Sequence, residues 1–186
     1  MANFEKSFRE LILIEGGYVN NPYDPGGKTM YGITEVVARD FGFNGEMEDL
    51  PLGIAEDIYK EQYWSPYKFD LIKNSKIATE LFEFTVNTGD GRLASKILQR
   101  SYNLLNKNIQ LEEDGHIGPH TSNTVNTYKF YKSLFKVMNI FQGQFYIALA
   151  EADSSTLKEM RNHKATIGST DRKTFIRGWI DRRVSI

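Results

Sequence analysis

Apolar positions recur along most of this chain at helical spacing. Phe4, Phe8, Leu11 and Ile12 follow i, i+4, i+7 and i+8, which predicts a first helix capped by Asn3 and ended by Gly16-Gly17. Thr34 caps a short helix through Phe41, and residues 42–53 read as a loop. Ile54 to Trp64 is helical until Ser65-Pro66, because the residue before a proline avoids the α region. Ile77, Leu81 and Phe84 stripe a helix over 76–88. Ala94, Ile97, Leu98 and Leu105 stripe another over 92–105, with Gly89-Asp90-Gly91 turning between them. Asp114-Gly115 marks a turn, and Gly118-Pro119 opens a new helix. From Thr121 to Ala152 the pattern stays helical without a visible break, with Tyr128, Tyr131, Phe135, Met138, Phe145 and Leu149 along one seam. A last helix over 171–183 packs Phe175, Ile176, Trp179 and Ile180. One stretch departs from this rhythm. Residues 18–33 are rich in Gly, Asn, Pro and Tyr, which predicts a structured loop or a small β-hairpin. The expected class is mainly α, with one Gly-rich excursion near the start.

Composition narrows the picture. Of 186 residues, 40% are hydrophobic and 25% charged, enough apolar surface for a packed core. The formal net charge is −1, which argues against a nucleic-acid partner. A basic cluster near the end, Arg172, Lys173, Arg177, Arg182 and Arg183, is either a solvated helix face or an aid to adhesion on an anionic wall. The absence of cysteine excludes disulfides, thiolate metal sites and Cys nucleophiles. His116 and His120 are four apart, but Gly118-Pro119 interrupts the helix between them, and His163 stands alone. No metal or nucleotide motif is present, so no cofactor is expected. The N-terminal residues form neither a basic nor an apolar signal region, and Leu11 to Ile14 is far too short to span a bilayer. The expectation is synthesis in the cytoplasm without a signal peptide and no insertion into a membrane.

Glu15 is the most informative residue for chemistry. It continues the stripe of the first helix, four residues after Leu11 and three after Ile12, at the helix C-terminus. Partial burial and the negative end of the helix dipole would both disfavour its ionised form. A Glu held protonated near neutral pH is what a general acid needs to protonate a glycosidic oxygen. The alternative is a frayed, exposed Glu at a helix end. The residues that follow favour the acid. They supply a second carboxylate, Asp24, the hydroxyls of Thr29 and Thr34, the phenols of Tyr18 and Tyr31, and five glycines that allow close backbone approach.

The run Glu15-Gly16-Gly17-Tyr18, continued by Asp24-Pro25-Gly26-Gly27-Lys28-Thr29-Met30-Tyr31-Gly32-Ile33-Thr34, resembles the signature of glycoside hydrolase family 108. Every fixed element of that signature is present at its spacing. Phe84-Thr85-Val86-Asn87-Thr88-Gly89 resembles the family's second motif, and Gln99 stands where the next helix usually carries Gln. Asp114-Gly115-His116-Ile117-Gly118-Pro119-His120-Thr121 resembles a motif of its C-terminal peptidoglycan-binding-like lobe. Gly178-Trp179-Ile180-Asp181-Arg182 resembles the closing one.

The resemblance implies a lysozyme-like helical fold and N-acetylmuramidase activity, of the kind found in phage endolysins and in secretion activators. It implies a catalytic lobe over 1–92 and a peptidoglycan-binding-like lobe over 93–186, packed as one unit. Glycan strands of peptidoglycan are the implied partner, reached in the periplasm or cell wall with a holin or secretion machinery for export. The family's catalytic Glu falls on Glu15. Asp24 is either the second catalytic group or a turn cap beside Pro25. Thr29 or Thr34 positions water, unless Thr34 serves only as an N-cap. Tyr18 is expected to contact sugar; Tyr31 orients the acid, contacts sugar or packs the loop. Asn87 binds an acetamido group or caps a helix, and Gln99 is expected to contact substrate. Two other readings keep the same fold: a non-catalytic wall-binding or secretion-accessory module, and a chitin-cleaving enzyme with a different groove.

Overall fold

The computed structural model describes residues 2–20 and 27–151. The first helix, α1, spans Phe4–Glu15, and Asn3 caps it by accepting a hydrogen bond from the Lys6 N–H at 2.9 Å. It buries Phe4, Phe8 and Leu11 of the predicted stripe, while Ile12 is half-buried. A three-stranded antiparallel sheet follows, β1 (Val19–Asn20), β2 (Lys28–Met30) and β3 (Ile33–Thr34), in that order. Thr34 then caps α2 (Glu35–Asp40), its hydroxyl accepting from the Val37 N–H at 3.4 Å. The fold is therefore mainly α, with one small sheet near the N-terminus.

Helix α3 (Leu52–Tyr59) continues directly into a π-helical turn over Lys60–Trp64. Residues five apart lie on different faces of an α-helix; the wider turn swings Trp64 back toward the side of Tyr59. Both side chains are buried. They join Phe4, Phe8, Phe69 and Phe82 in an aromatic cluster with ring centroids 5.5–6.0 Å apart. Edge-on contacts dominate, as the aromatic quadrupole favours. The helix does end at Ser65-Pro66, in a 3-10 turn closed by Lys68 in the left-handed conformation (φ 58°).

The body of the molecule is α4 (Ser75–Thr88), α5 (Gly91–Leu105) and α7 (Tyr131–Ala150). Gly89, with φ 67°, caps α4, and the Asp90 carboxylate caps α5 by accepting from the Leu93 N–H at 2.9 Å. Gly91 must be glycine for another reason: a side chain there would collide with the Tyr67 ring. Leu81, Phe84, Leu93, Ala94, Ile97 and Leu98 are buried between these helices, and Phe145 and Tyr146 of α7 pack edge-on to Phe84.

The unbroken helix expected from Thr121 onward is two helices. Helix α6 (Pro119–Thr127) ends where Tyr128 turns extended (ψ 117°), and α7 starts at Tyr131. The cause is tertiary. The Asn126 amide donates to the Leu71 carbonyl at 2.8 Å and accepts from the Lys73 N–H at 2.8 Å, pinning the end of α6 to a distant loop. The expected seam shifts accordingly. Tyr131 is exposed, and Leu134, absent from that seam, is fully buried beside Met138 and Phe145. The polar stretch 106–113 is anchored by Asn103, which donates to the Leu111 carbonyl at 2.8 Å and accepts its N–H at 2.7 Å. Among the described residues no helix is long and apolar enough to cross a membrane. The expected helix over 171–183, its basic cluster and Asp24 lie outside the described residues.

Candidate active site

Glu15 is the last residue of α1. The helix stops there because Gly16 takes φ 81°, while its N–H still donates to the Ile12 carbonyl at 3.2 Å. A Cβ at Gly16 would meet nothing within 4 Å, so the glycine is needed for backbone conformation and not for space.

The chain then enters the sheet. Val19 pairs with Thr29 and Asn20 with Lys28; Thr29 pairs in turn with Thr34, and Met30 with Ile33. Side chains directly opposite in a ladder share one face. The register thus brings Thr29 and Thr34 side by side, with Val19 completing the row. Thr29 holds the central place, and its hydroxyl reaches the Gly27 carbonyl at 3.5 Å. Thr34 is engaged as the cap of α2, one of the two roles its sequence context allows.

The two-residue link between β2 and β3 is Tyr31-Gly32, with φ of 54° and 77°. Two successive positive φ values mark the type I′ hairpin turn, whose twist suits the flanking strands. Tyr31 carries a Cβ and is strained in this region. Its carbonyl accepts the Tyr59 hydroxyl at 2.9 Å, which fixes the turn to α3. Nothing in the local pattern of residues 54–64 marks Tyr59 for this task. On the outside of the sheet, Lys28 pairs with Glu46 at 3.3 Å. That hydrogen bond and the Glu46 charge raise the Lys28 pKa. Tyr18 precedes β1 and is exposed, open to a ligand.

Asn87 and Gln99 belong to the helical body. Asn87 donates to the Tyr146 hydroxyl at 2.6 Å, joining α4 to α7; the cap of α4 is Gly89 instead. Gln99, expected to contact substrate, is 1% exposed. Its amide donates to the Asp114 carboxylate at 2.8 Å and to the His116 carbonyl at 3.1 Å, and accepts from the Gly115 N–H at 2.9 Å. Direct sugar contact gives way to a scaffold role, since both donors are spent on the turn at 114–116. Asp114 is desolvated, but hydrogen bonds from Gln99 and the His116 N–H outweigh that and hold its pKa below the usual value. The clamped turn lines a cleft of about 320 Å³ together with Tyr67, Lys68 and Arg92.

One further carboxyl is perturbed. Glu80 on α4 is buried, and its pKa is pushed up to about 8 by desolvation, reinforced by Glu83 and opposed by the Gln142 amide. The sequence held a hint, since Glu80 lies three residues after Ile77 and four before Phe84, on the stripe itself. No group of three or more metal-ligating side chains occurs among the described residues.

A helical body with a short antiparallel sheet directly after the first helix is the architecture of a lysozyme-like protein. Residues 8–89 match the model of glycosyl hydrolase 108, and residues 93–184 match that of a predicted peptidoglycan domain. The first half of the chain thus matches the glycosyl hydrolase 108 family, and the second half a predicted peptidoglycan domain. Its role is peptidoglycan-related, in hydrolysis or in binding. No curated protein matches the chain. Among solved structures it is similar to Brucella abortus SagA, at 24% identity over 86% of this chain and 91% of that one, with a TM-score of 0.57. At that identity the likeness speaks for the fold.

Proposed function

We propose that this protein is an N-acetylmuramidase that hydrolyses the β-1,4 bond between N-acetylmuramic acid and N-acetylglucosamine. The observation that carries the reading is the place of Glu15. It ends α1 where the chain turns through Gly16 into a sheet whose central residue is Thr29. In this reading Glu15 donates its proton to the glycosidic oxygen as the bond breaks, and water adds to the anomeric carbon. The carbonyl end of α1 supports the role, because it opposes ionisation of a carboxyl group there. Asp24 is the second group, stabilising positive charge on the sugar or drawing a proton from the water. Thr29, beside Thr34, helps to position that water. Tyr18, Tyr31 and Asn87 contact the glycan. The first lobe, residues 1–92, does the chemistry; the second, residues 93–186, holds the wall, in the periplasm or cell wall after release from the cytoplasm.

The match of residues 93–184 to a predicted peptidoglycan domain favours one other reading, a binding module without activity. Purified peptidoglycan separates the two. Wild-type protein is expected to clear a turbid suspension, and Glu15→Gln to clear it at least about 100-fold more slowly, the usual weight of a general acid. Mass spectrometry of the released fragments, ending in reducing N-acetylmuramic acid, reads the bond. Clearing by both proteins alike removes Glu15 from the mechanism; binding without clearing by the wild type leaves the module.

A further inference from the structure

The net charge of −1 conceals a strong local asymmetry. Residues 115–150 contain no Asp or Glu, and their lysines are Lys129, Lys132 and Lys136. Two of these, Lys132 and Lys136 at the start of α7, face Lys73 and Lys76 at the start of α4 across a groove of about 570 Å³. All four are exposed, and none pairs with a carboxylate among the described residues. No described residue lining the groove is acidic.

Four like charges around one cavity repel each other, and a fold that keeps them together gains when an anion enters. The backbone adds to the field. The first turns of α4 and α7 both line the groove, and the N-terminal end of a helix carries partial positive charge. Asn74 caps α4 by accepting from the Ile77 N–H at 3.3 Å, while no side chain caps the start of α7. Tyr131 and Phe135 supply an apolar flank.

We infer that this groove binds the phosphate groups of a phosphodiester-linked polymer of the cell envelope. A phosphodiester keeps its negative charge even in acid and spreads it over two free oxygens, each of which accepts from an ammonium group. Four lysines exceed what a single phosphate needs, so the ligand repeats its charge. The sugar or polyol between successive phosphates lies against Tyr131 and Phe135. A concave wall of lysines suits a strand better than it suits the plane of a bilayer. The choice of an envelope polymer rests on the proposed work on peptidoglycan; the phosphate chemistry does not.

The test is calorimetric titration of the full chain with polyglycerol phosphate. Lys76→Gln/Lys132→Gln is expected to weaken binding about ten-fold or more, with a shallower salt dependence, because each lost lysine releases fewer counterions. Lys6→Gln/Lys107→Gln, the same change in net charge elsewhere, is expected to stay within about two-fold of wild type. Lys136→Gln gives an independent reading of the same groove, and matching melting curves exclude unfolding as the cause. The inference fails if wild type ignores the polymer, or if both double variants lose affinity equally. It fails too if phosphatidylglycerol vesicles are bound through these lysines and the soluble polymer is not. Polymer binding by a protein that clears no peptidoglycan would sink the muramidase proposal and leave the groove assignment standing.

Discussion

The sheet after α1 and the packing of α4, α5 and α7 hold their shapes by different means. In the helical body, Leu81, Phe82 and Leu98 are completely buried, and apolar surface supplies the stability. In the sheet, both residues of β1 are exposed and those of β2 are half-buried. Its form comes from backbone conformation: the positive φ of Gly16 ends the helix, that of Tyr31 and Gly32 closes the hairpin, and Tyr59 holds the turn from outside. The body can therefore be weakened without altering the site, and the site can be altered without weakening the body. Glu15 stands at the junction of the two, as the last residue of α1 before the chain turns into the sheet.

The largest effect expected on stability comes from Leu81→Ala. Leu81 is fully buried on α4, and its truncation should cost about 2–5 kcal/mol through lost burial and the cavity left behind. Denaturant unfolding checks this. At a temperature where the variant remains folded, its rate on peptidoglycan should match wild type. A large loss of rate in folded protein would mean that body and sheet are coupled more tightly than their construction implies.

Next comes Glu80→Gln, which sharpens the contrast within the body. Glu80 has a folded pKa of about 8 against an ordinary 4.5, so folding favours its neutral form. Its contribution to stability is complete below pH 4.5 and is lost as pH rises toward 8. Wild type should therefore lose melting temperature between pH 5 and pH 8 more steeply than Glu80→Gln, in which that position does not titrate. The variant should gain on the order of a few kcal/mol at pH 8 relative to its own deficit or surplus at pH 4.5. Parallel melting curves across that range would show that Glu80 stays ionised in the fold.

These two residues also show how far a sequence can be read. Leu81 is visible at once, because local spacing defines a helical stripe and burial follows. The starts of α1 and α2 are visible for the same reason: Asn3 and Thr34 act on N–H groups three residues away. Glu80 sits on its stripe, but whether it is buried depends on α7 closing over it with Gln142. The break before α7 depends on Asn126 finding Leu71 and Lys73, more than fifty residues earlier. Gln99 stands at a position that implied substrate contact, yet spacing says nothing of where an amide points, and the turn at 114–116 takes it. The Glu15 loop stands out in the sequence because its residue types are concentrated there. The row of Thr29 and Thr34 does not, since it needs the register of three strands.

The smallest stability effect, and the most direct probe of the sheet, is Tyr59→Phe. The substitution keeps the ring in its aromatic cluster against Phe8 and Phe82 and removes the hydroxyl that donates to Tyr31. Tyr31 is half-buried, so water can replace the lost donor, and the loss should be about 1 kcal/mol or less. The hairpin is affected more than that figure suggests. Tyr31 loses the contact that holds it at φ 54°, a conformation disfavoured for a residue with a Cβ, and the turn relaxes. If Thr29 positions water for the reaction, its placement relaxes with the turn. The expected result is a fall in kcat of about ten-fold with KM nearly unchanged, because positioning errors are felt at the reacting atoms before they are felt in binding. A drop in melting temperature with full activity in the folded protein would reverse the assignment, making Tyr59 a packing residue and the sheet rigid without it.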